Sequence, residues 1–310
     1  MDLKTLLVSF LICALLQYVI QKFFIKNNLF DDINHRSSHN TFATRTGGIG
    51  VFVTLLLISL FYYFNGVKIF DYSLFIPLGI MFIVGVYDDF YNADFKLKFF
   101  FQIIVAKILI DQGYVVVDLQ GFFGINQIPW LLAQAFTIFA FLVIVNAFNF
   151  IDGIDGLAIT ITITTLVLVT LLSSELTDIT ILNQLLISSL LPLYYYNFKK
   201  THKIFLGDGG SLLLGSIVSV SLFSILDGEF KIIYDLPLNR ALLAVLLIIY
   251  PLLDLTRVFF IRITNGKSPF TADKNHIHHL FIRKFSAPVT ILIITAVSLL
   301  PSLLYILFYL

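Results

Sequence analysis

Long apolar runs separated by short polar segments fill the chain from end to end. They fall near residues 3–24, 49–64, 73–87, 99–110, 130–148, 156–172, 180–196, 211–226, 241–261 and 289–309. A helix needs roughly 20 mostly apolar residues to cross a bilayer, and in hydrocarbon it satisfies its own backbone donors and acceptors. The pattern therefore predicts an all-α, polytopic integral membrane protein with about ten transmembrane helices, forming a single domain over 1–310. The run at 99–110 is short and carries Lys107, so it is expected to tilt, to continue toward Val117 or to be shielded by neighbours. The first run, Leu3 to Phe24, is too long for a signal-peptide core and no small-residue cleavage site follows, so a retained span is expected.

Composition supports the membrane reading. Hydrophobic residues make up 58% of the chain, charged residues 13%, and the mean hydropathy is +0.94; a soluble domain carries about 25% charged residues. A net charge of +1 provides no basic field for nucleic acid. Cys13, the single cysteine, can form no intramolecular disulfide. Lys22, Lys26, Arg36, Arg45, Lys96, Lys98, Lys199, Lys200, Lys203, Arg262, Lys267, Lys274, Arg283 and Lys284 all fall in or beside odd-numbered loops, whereas even-numbered loops carry only Lys68, Lys231 and Arg240. By the positive-inside rule the odd-numbered loops face the cytoplasm, and ten spans then put both termini outside. Active-site loops are expected near 25–48, 87–98, 149–156, 197–210 and 262–288.

Candidate chemistry lies in these loops. Asp88 and Asp89 end the third apolar run. Adjacent carboxylates are favourable beside a hard cation such as Mg²⁺, and one of them can act as a base; a solvated loop cap is the plain alternative. The fifth loop reads Asn146-x-x-Asn149-x-x-Asp152-Gly153-x-Asp155-Gly156. A turn at the glycines could gather the four polar side chains and present backbone N–H groups to an anion. Gly207-Asp208-Gly209-Gly210-Ser211 precedes the eighth run, with Asp208 a candidate metal ligand and Ser211 a candidate N-cap. Three histidines, His276, His278 and His279, close the ninth loop; no cysteine is near and the acids elsewhere favour a hard cation over zinc, so phosphate contact or proton transfer is expected of them. His35, Arg36, His39 and Arg45 stand in the first loop, where a topological role competes with anion binding.

In this order, the blocks resemble the polyprenyl-phosphate N-acetylhexosamine-1-phosphate transferase family, from about His35 to His279. The resemblance implies transfer of HexNAc-1-phosphate from a UDP-N-acetylhexosamine to undecaprenyl phosphate at the cytoplasmic face of the bacterial inner membrane. It implies Mg²⁺, with Mn²⁺ as a substitute, and leaves a homodimer open. It assigns Asp88, Asp89 and Asp155 to catalysis, Asp208 to metal, and Lys96, Asn146, Asn149, Asp152, His276, His278 and His279 to substrate. Pro251 and Asp254 match a Pro-x-x-Asp block, and Pro269, Phe270, Asp273 and Lys274 suit the branch using simple UDP-HexNAc rather than muramoyl-pentapeptide donors. Thr201-His202 departs from the family's usual Pro-Ala, which leaves the role of Asn197 open. An ion-coupled transporter is the rival class, but only Lys107, Asp254 and Arg257 lie within spans, and the last two are spaced to pair on one helix face.

Overall fold

A computed structural model describes residues 1–30, 43–227, 230–268 and 275–310. His35, Arg36, His39, Pro269, Phe270, Asp273 and Lys274 lie outside these residues. The described chain is helical with two small strand pairs. In order it runs α1 (Leu3–Lys26), β1 (Ala43–Thr44), α2 (Gly47–Phe64), α3 (Phe75–Tyr91), α4 (Phe95–Asp111), β2 (Asp118–Phe122), β3 (Ile125–Gln127) and α5 (Trp130–Ile151). It continues α6 (Leu157–Leu172), α7 (Asp178–Asn197), β4 (Lys203–Ile204), α8 (Gly207–Leu226), α9 (Arg240–Leu247), α10 (Ile249–Thr264), α11 (Ile277–Ile282) and α12 (Ala287–Tyr309).

Every apolar run is helical, and the protein is a multi-pass membrane protein. Among the described residues, six helices are long and apolar enough to cross a membrane, or seven if α9 and α10 count as one span broken by a 71° bend. Six or seven of the ten expected crossings meet both criteria, so the count of ten is not confirmed. At 16 residues α6 is short, and α4 carries Lys96, Lys98, Lys107 and Asp111. Lys107 does not lie bare in hydrocarbon: it pairs with Asp111 one turn on.

The centre of the bundle is α8. Its apolar window is 89% buried, against 22% for α1, so α8 is ringed by protein and α1 faces lipid along most of its length. Close approach to α8 depends on glycine. A Cβ at Gly48 of α2 would collide with the Gly210 backbone, and one at Gly85 of α3 with the Asp208 carbonyl. Removing the side chain at such crossings lets helix backbones approach closely, as small residues do in membrane bundles.

Loops at one end are stitched together. β1 pairs parallel with β4, Ala43 opposite Lys203 and Thr44 opposite Ile204. The ladder continues as Gly47 N–H donates to the Phe205 carbonyl (2.9 Å) and Gly48 N–H to that of Leu206 (2.8 Å). Asn197 donates from Nδ2 to the Ile204 carbonyl at 2.8 Å, so it tethers the loop it precedes. At this same end α3 stops, α5 stops and α8 starts.

Candidate active site

Asp88 and Asp89 sit in the last turn of α3, which Asn92 terminates in the left-handed region (φ 50°). The chain reverses at once, and Asp94 caps α4 by accepting from Lys96 N–H. This tight hairpin brings Lys98 back onto Asp88, with which it forms an ion pair. The other Asp88 oxygen accepts from Ala93 N–H at 2.7 Å. Lys96 is exposed: at about 100° per residue it stands some 200° around the helix from Lys98.

Asp89 points to α8. Its Oδ1 accepts from Asp208 N–H at 2.9 Å and its Oδ2 from Gly209 N–H at 3.0 Å. Arg45, from the first loop, stands 3.5 Å from Oδ1. Asp208 accepts from Asn149 Nδ2 at 2.5 Å, and its carboxyl lies near that of Asp88. Asn149 also donates to Ser211 Oγ at 2.8 Å. The expected N-cap role of Ser211 is corrected here: α8 begins at Gly207, so Ser211 lies inside the helix, and its preceding residue, Leu206, provides no side-chain cap.

The Asn-x-x-Asn-x-x-Asp-Gly-x-Asp-Gly block does not act as one unit. Because α5 runs on through Ile151, Asn146 lies deeper and pairs with the buried Gln102 of α4, donating to Oε1 at 2.8 Å. Asn149 reaches Asp208. Gly156, at φ 76°, turns the chain into α6, and Asp155 meets Lys203 at 2.5 Å. Asp152 ends α5 facing the acids. Burial first, then the charges of Asp208, Asp89 and Asp155, hold its carboxyl well above the usual range.

The histidine block forms the adjoining wall. His276 Nδ1 donates to Asp254 Oδ2 at 2.6 Å, and Ile277 N–H donates to Asp254 Oδ1 at 2.6 Å. Arg262, buried, approaches His276 Nε2 at 3.4 Å. The expected Asp254–Arg257 pair is therefore corrected: Asp254 is turned to the histidines, and Arg257 donates to the Asn275 carbonyl at 2.5 Å. His278 is fully buried, with Nδ1 3.3 Å from the Tyr250 hydroxyl. Its Nε2 rests on Gly153, where a Cβ would strike it. His279 is half-buried, its ring centroid 4.3 Å from that of His278.

Two donor sets must be weighed for a metal. Asp254, His276 and His278 bring three ligand atoms within 4.8 Å of one another. Both Asp254 oxygens already accept hydrogen bonds and the Arg262 guanidinium stands beside His276, so a cation there would meet occupied lone pairs and a like charge. The acids offer what a hard cation prefers, carboxylate oxygens. The charges of Asp208, Asp89 and Asp155 act on the buried Asp152 carboxyl, a repulsion that a divalent ion would relieve. Those residues fit Mg²⁺.

Residues 71–226 match glycosyl transferase family 4, and that stretch carries every acid from Asp88 to Asp208. The chain is also 31% identical over 284 residues to the probable undecaprenyl-phosphate N-acetylglucosaminyl 1-phosphate transferase of Bacillus subtilis (strain 168), covering 88% of this chain and 75% of that protein. The chain belongs to glycosyl transferase family 4. Other relatives are the undecaprenyl-phosphate alpha-N-acetylglucosaminyl 1-phosphate transferases of Yersinia pestis (28% over 290 residues; 90% of this chain, 76% of that one) and Escherichia coli (strain K12) (28% over 309; 95% and 80%).

Within this family member, Lys203 and Gln102 hold site residues without belonging to any block that sequence reading singles out. Lys203 reads as a topological charge, and only the two-residue β1–β4 pairing aims it at Asp155. The histidine wall gives a pH prediction. Burial, then His279, hold the His278 imidazole down at about 3, from an ordinary 6.5. An unfolded histidine takes up a proton as pH falls through about 6.5 and the folded one does not, so this contribution to stability is whole above that pH and is lost as pH falls toward 3. His278→Gln should flatten the acid-side slope of unfolding temperature in detergent between about pH 6.5 and 4.5. An unchanged slope would clear His278 of that role.

Proposed function

We propose that the protein transfers N-acetylhexosamine-1-phosphate, with N-acetylglucosamine as the sugar, from its UDP donor to undecaprenyl phosphate, giving undecaprenyl-diphospho-sugar and UMP. The names of its relatives supply the acceptor and the sugar. The observation that carries the reading is the gathering of Asp88, Asp89, Asp152 and Asp208 from α3, α5 and α8 at one end of the bundle. An ion-coupled carrier needs ionisable groups near mid-membrane; here the acids form a layer at helix ends. The excess of Lys and Arg in the loops at that end supports a cytoplasmic orientation, and the bacterial relatives support an inner membrane.

The reaction joins two anions. An oxygen of the lipid phosphate attacks the phosphorus bearing the sugar, the bond to the uridylyl oxygen breaks, and UMP departs with the electron pair. Catalysis of this kind is chiefly positioning and charge neutralisation. Mg²⁺, when bound, neutralises the diphosphate; Asp208 and Asp152 would hold it, and Asn149 fixes the rotamer of Asp208. Lys98 is held by Asp88 where a lipid headgroup meets the bundle edge, and offers its ammonium to the attacking phosphate. A phosphate monoester has its second pKa near 6, so at pH 7 the acceptor is already largely dianionic and a strong base is unnecessary. Asp88 therefore serves as the anchor of Lys98.

The test is a donor panel: purified protein, undecaprenyl phosphate and Mg²⁺ with UDP-GlcNAc, UDP-GalNAc or UDP-MurNAc-pentapeptide, the lipid product resolved by mass. A HexNAc-diphospho-lipid with UMP is expected. Product only from the muramoyl-pentapeptide donor, or none from any donor, overturns the assignment.

A further inference from the structure

We infer that Asp89 is a positioning residue, which caps the N-terminus of α8 from the neighbouring helix and so fixes the backbone that carries Asp208. Helix N-termini leave several N–H groups without partners, and a side-chain oxygen of the preceding residue usually accepts from the second or third of them. Leu206 has no such oxygen. Gly207 is the first residue of α8, and the N–H groups of the next two, Asp208 and Gly209, each meet a different oxygen of Asp89 at 2.9 and 3.0 Å. The cap is thus delivered by α3.

Three further features belong to this arrangement. A Cβ at Gly207 would lie 2.7 Å from Asp89 Oδ2, and Gly207 holds φ at +75°, so only glycine leaves the carboxylate its approach. Gly85 lets α3 sit against the Asp208 carbonyl. Arg45, 3.5 Å from Oδ1, ties the same carboxylate to the first loop. The positive end of the α8 dipole is filled by a carboxylate of the protein itself, and the Asp89 side chain is only 6% exposed. Asp208, by contrast, is half-buried with its carboxylate directed to Asn149. The two acids divide the work: Asp89 sets the backbone, Asp208 faces the reactants.

The activity arm of the test rests on the transferase reading; the exchange arm does not. In Asp89→Asn the side-chain NH₂ cannot accept, so one of the two backbone N–H groups loses its partner. Hydrogen exchange at the Asp208 or Gly209 amide should quicken by about 10- to 100-fold, with α5 and α12 unchanged. Gly207→Ala, which displaces the carboxylate, should quicken the same amides. Each variant should lose about 10- to 100-fold in kcat/KM, the usual cost of removing a group that orients a ligand. The double variant should be no worse than the poorer single one, and the pH–rate profile should keep its limbs. If Gly207→Ala does not fold, the exchange of the two amides in Asp89→Asn decides alone. Unaltered exchange in Asp89→Asn overturns the capping role, and a collapse of turnover with it would make Asp89 a catalytic residue. Quickened exchange in a protein whose wild type transfers no sugar phosphate upholds the cap and sinks the transferase reading.

Discussion

Asp208→Asn should lower kcat/KM by about 10²- to 10³-fold at limiting Mg²⁺, the range seen when a preorganised electrostatic group is removed. The substitution keeps the shape of the side chain in the first turn of α8 but removes its charge. Asn149 Nδ2, which now donates to Asp208 Oδ1 at 2.5 Å, would still find an amide oxygen. The fold at this point should therefore survive, and the defect should lie in holding the cation. Excess Mg²⁺ should then restore part of the activity, because weakened binding is offset by mass action while the remaining carboxylate of Asp152 still faces the site. Chelation should abolish wild-type activity and Mg²⁺ or Mn²⁺ should return it. Titrating Mg²⁺ against initial rate for wild type and variant checks both statements. Near-normal activity of the variant in chelated buffer would remove Asp208 from the metal site.

The acids themselves are legible in the sequence because carboxylates flanked by apolar spans are expensive without partners. What each acid does is not legible. Asp88 and Asp89 are neighbours in sequence, yet successive helical positions point about 100° apart, so one turns to Lys98 and the other to α8. The Asn146 block reads as one cluster, but α5 continues through it and divides it between Gln102 and Asp208. Asp254 and Arg257 have the spacing of an ion pair; the fold instead brings in His276, 22 residues away, at 2.6 Å. The apolar pattern runs straight through the bend at Ile248, but Pro251 marks it: it has no N–H to give the Leu247 carbonyl four residues back, and Thr165 Oγ1 donates to that oxygen at 3.2 Å instead. Hydrophobic runs locate helices well, and they do so here, but among the described residues length and apolarity together qualify six or seven as crossings. A helix such as α4 keeps its charges by local pairing, Lys107 with Asp111 and Lys98 with Asp88, and a hydropathy pattern does not report that.

Lys98→Ala should cost about 10²- to 10³-fold in turnover, whereas Lys96→Ala should stay within about 3-fold of wild type. The resemblance places basic positions on both Lys96 and Lys98 and gives the substrate contact to Lys96, and the two residues are only two apart. The α4 cap decides between them. Asp94 starts the helix, so Lys96 falls on the exposed side and Lys98 turns toward the end of α3. Without Lys98 the attacking phosphate loses a cation, and Asp88, 5% exposed and still held by Ala93 N–H, is left as an uncompensated negative charge beside it. Both effects raise the barrier in the same direction, and added Mg²⁺ should not repair either, since Asp152 and Asp208 are intact. Lys98→Arg keeps the charge on a different fork and should retain part of the activity. Removing both charges should relieve the repulsion, so Asp88→Asn/Lys98→Ala should lose less than the product of the two single losses, a coupling expected of groups in direct contact. Steady-state rates at saturating Mg²⁺ for the four Lys98 and Asp88 combinations measure that coupling. Strictly multiplicative losses would show that the two residues act apart, and a Lys96→Ala defect as deep as that of Lys98→Ala would return the phosphate contact to Lys96.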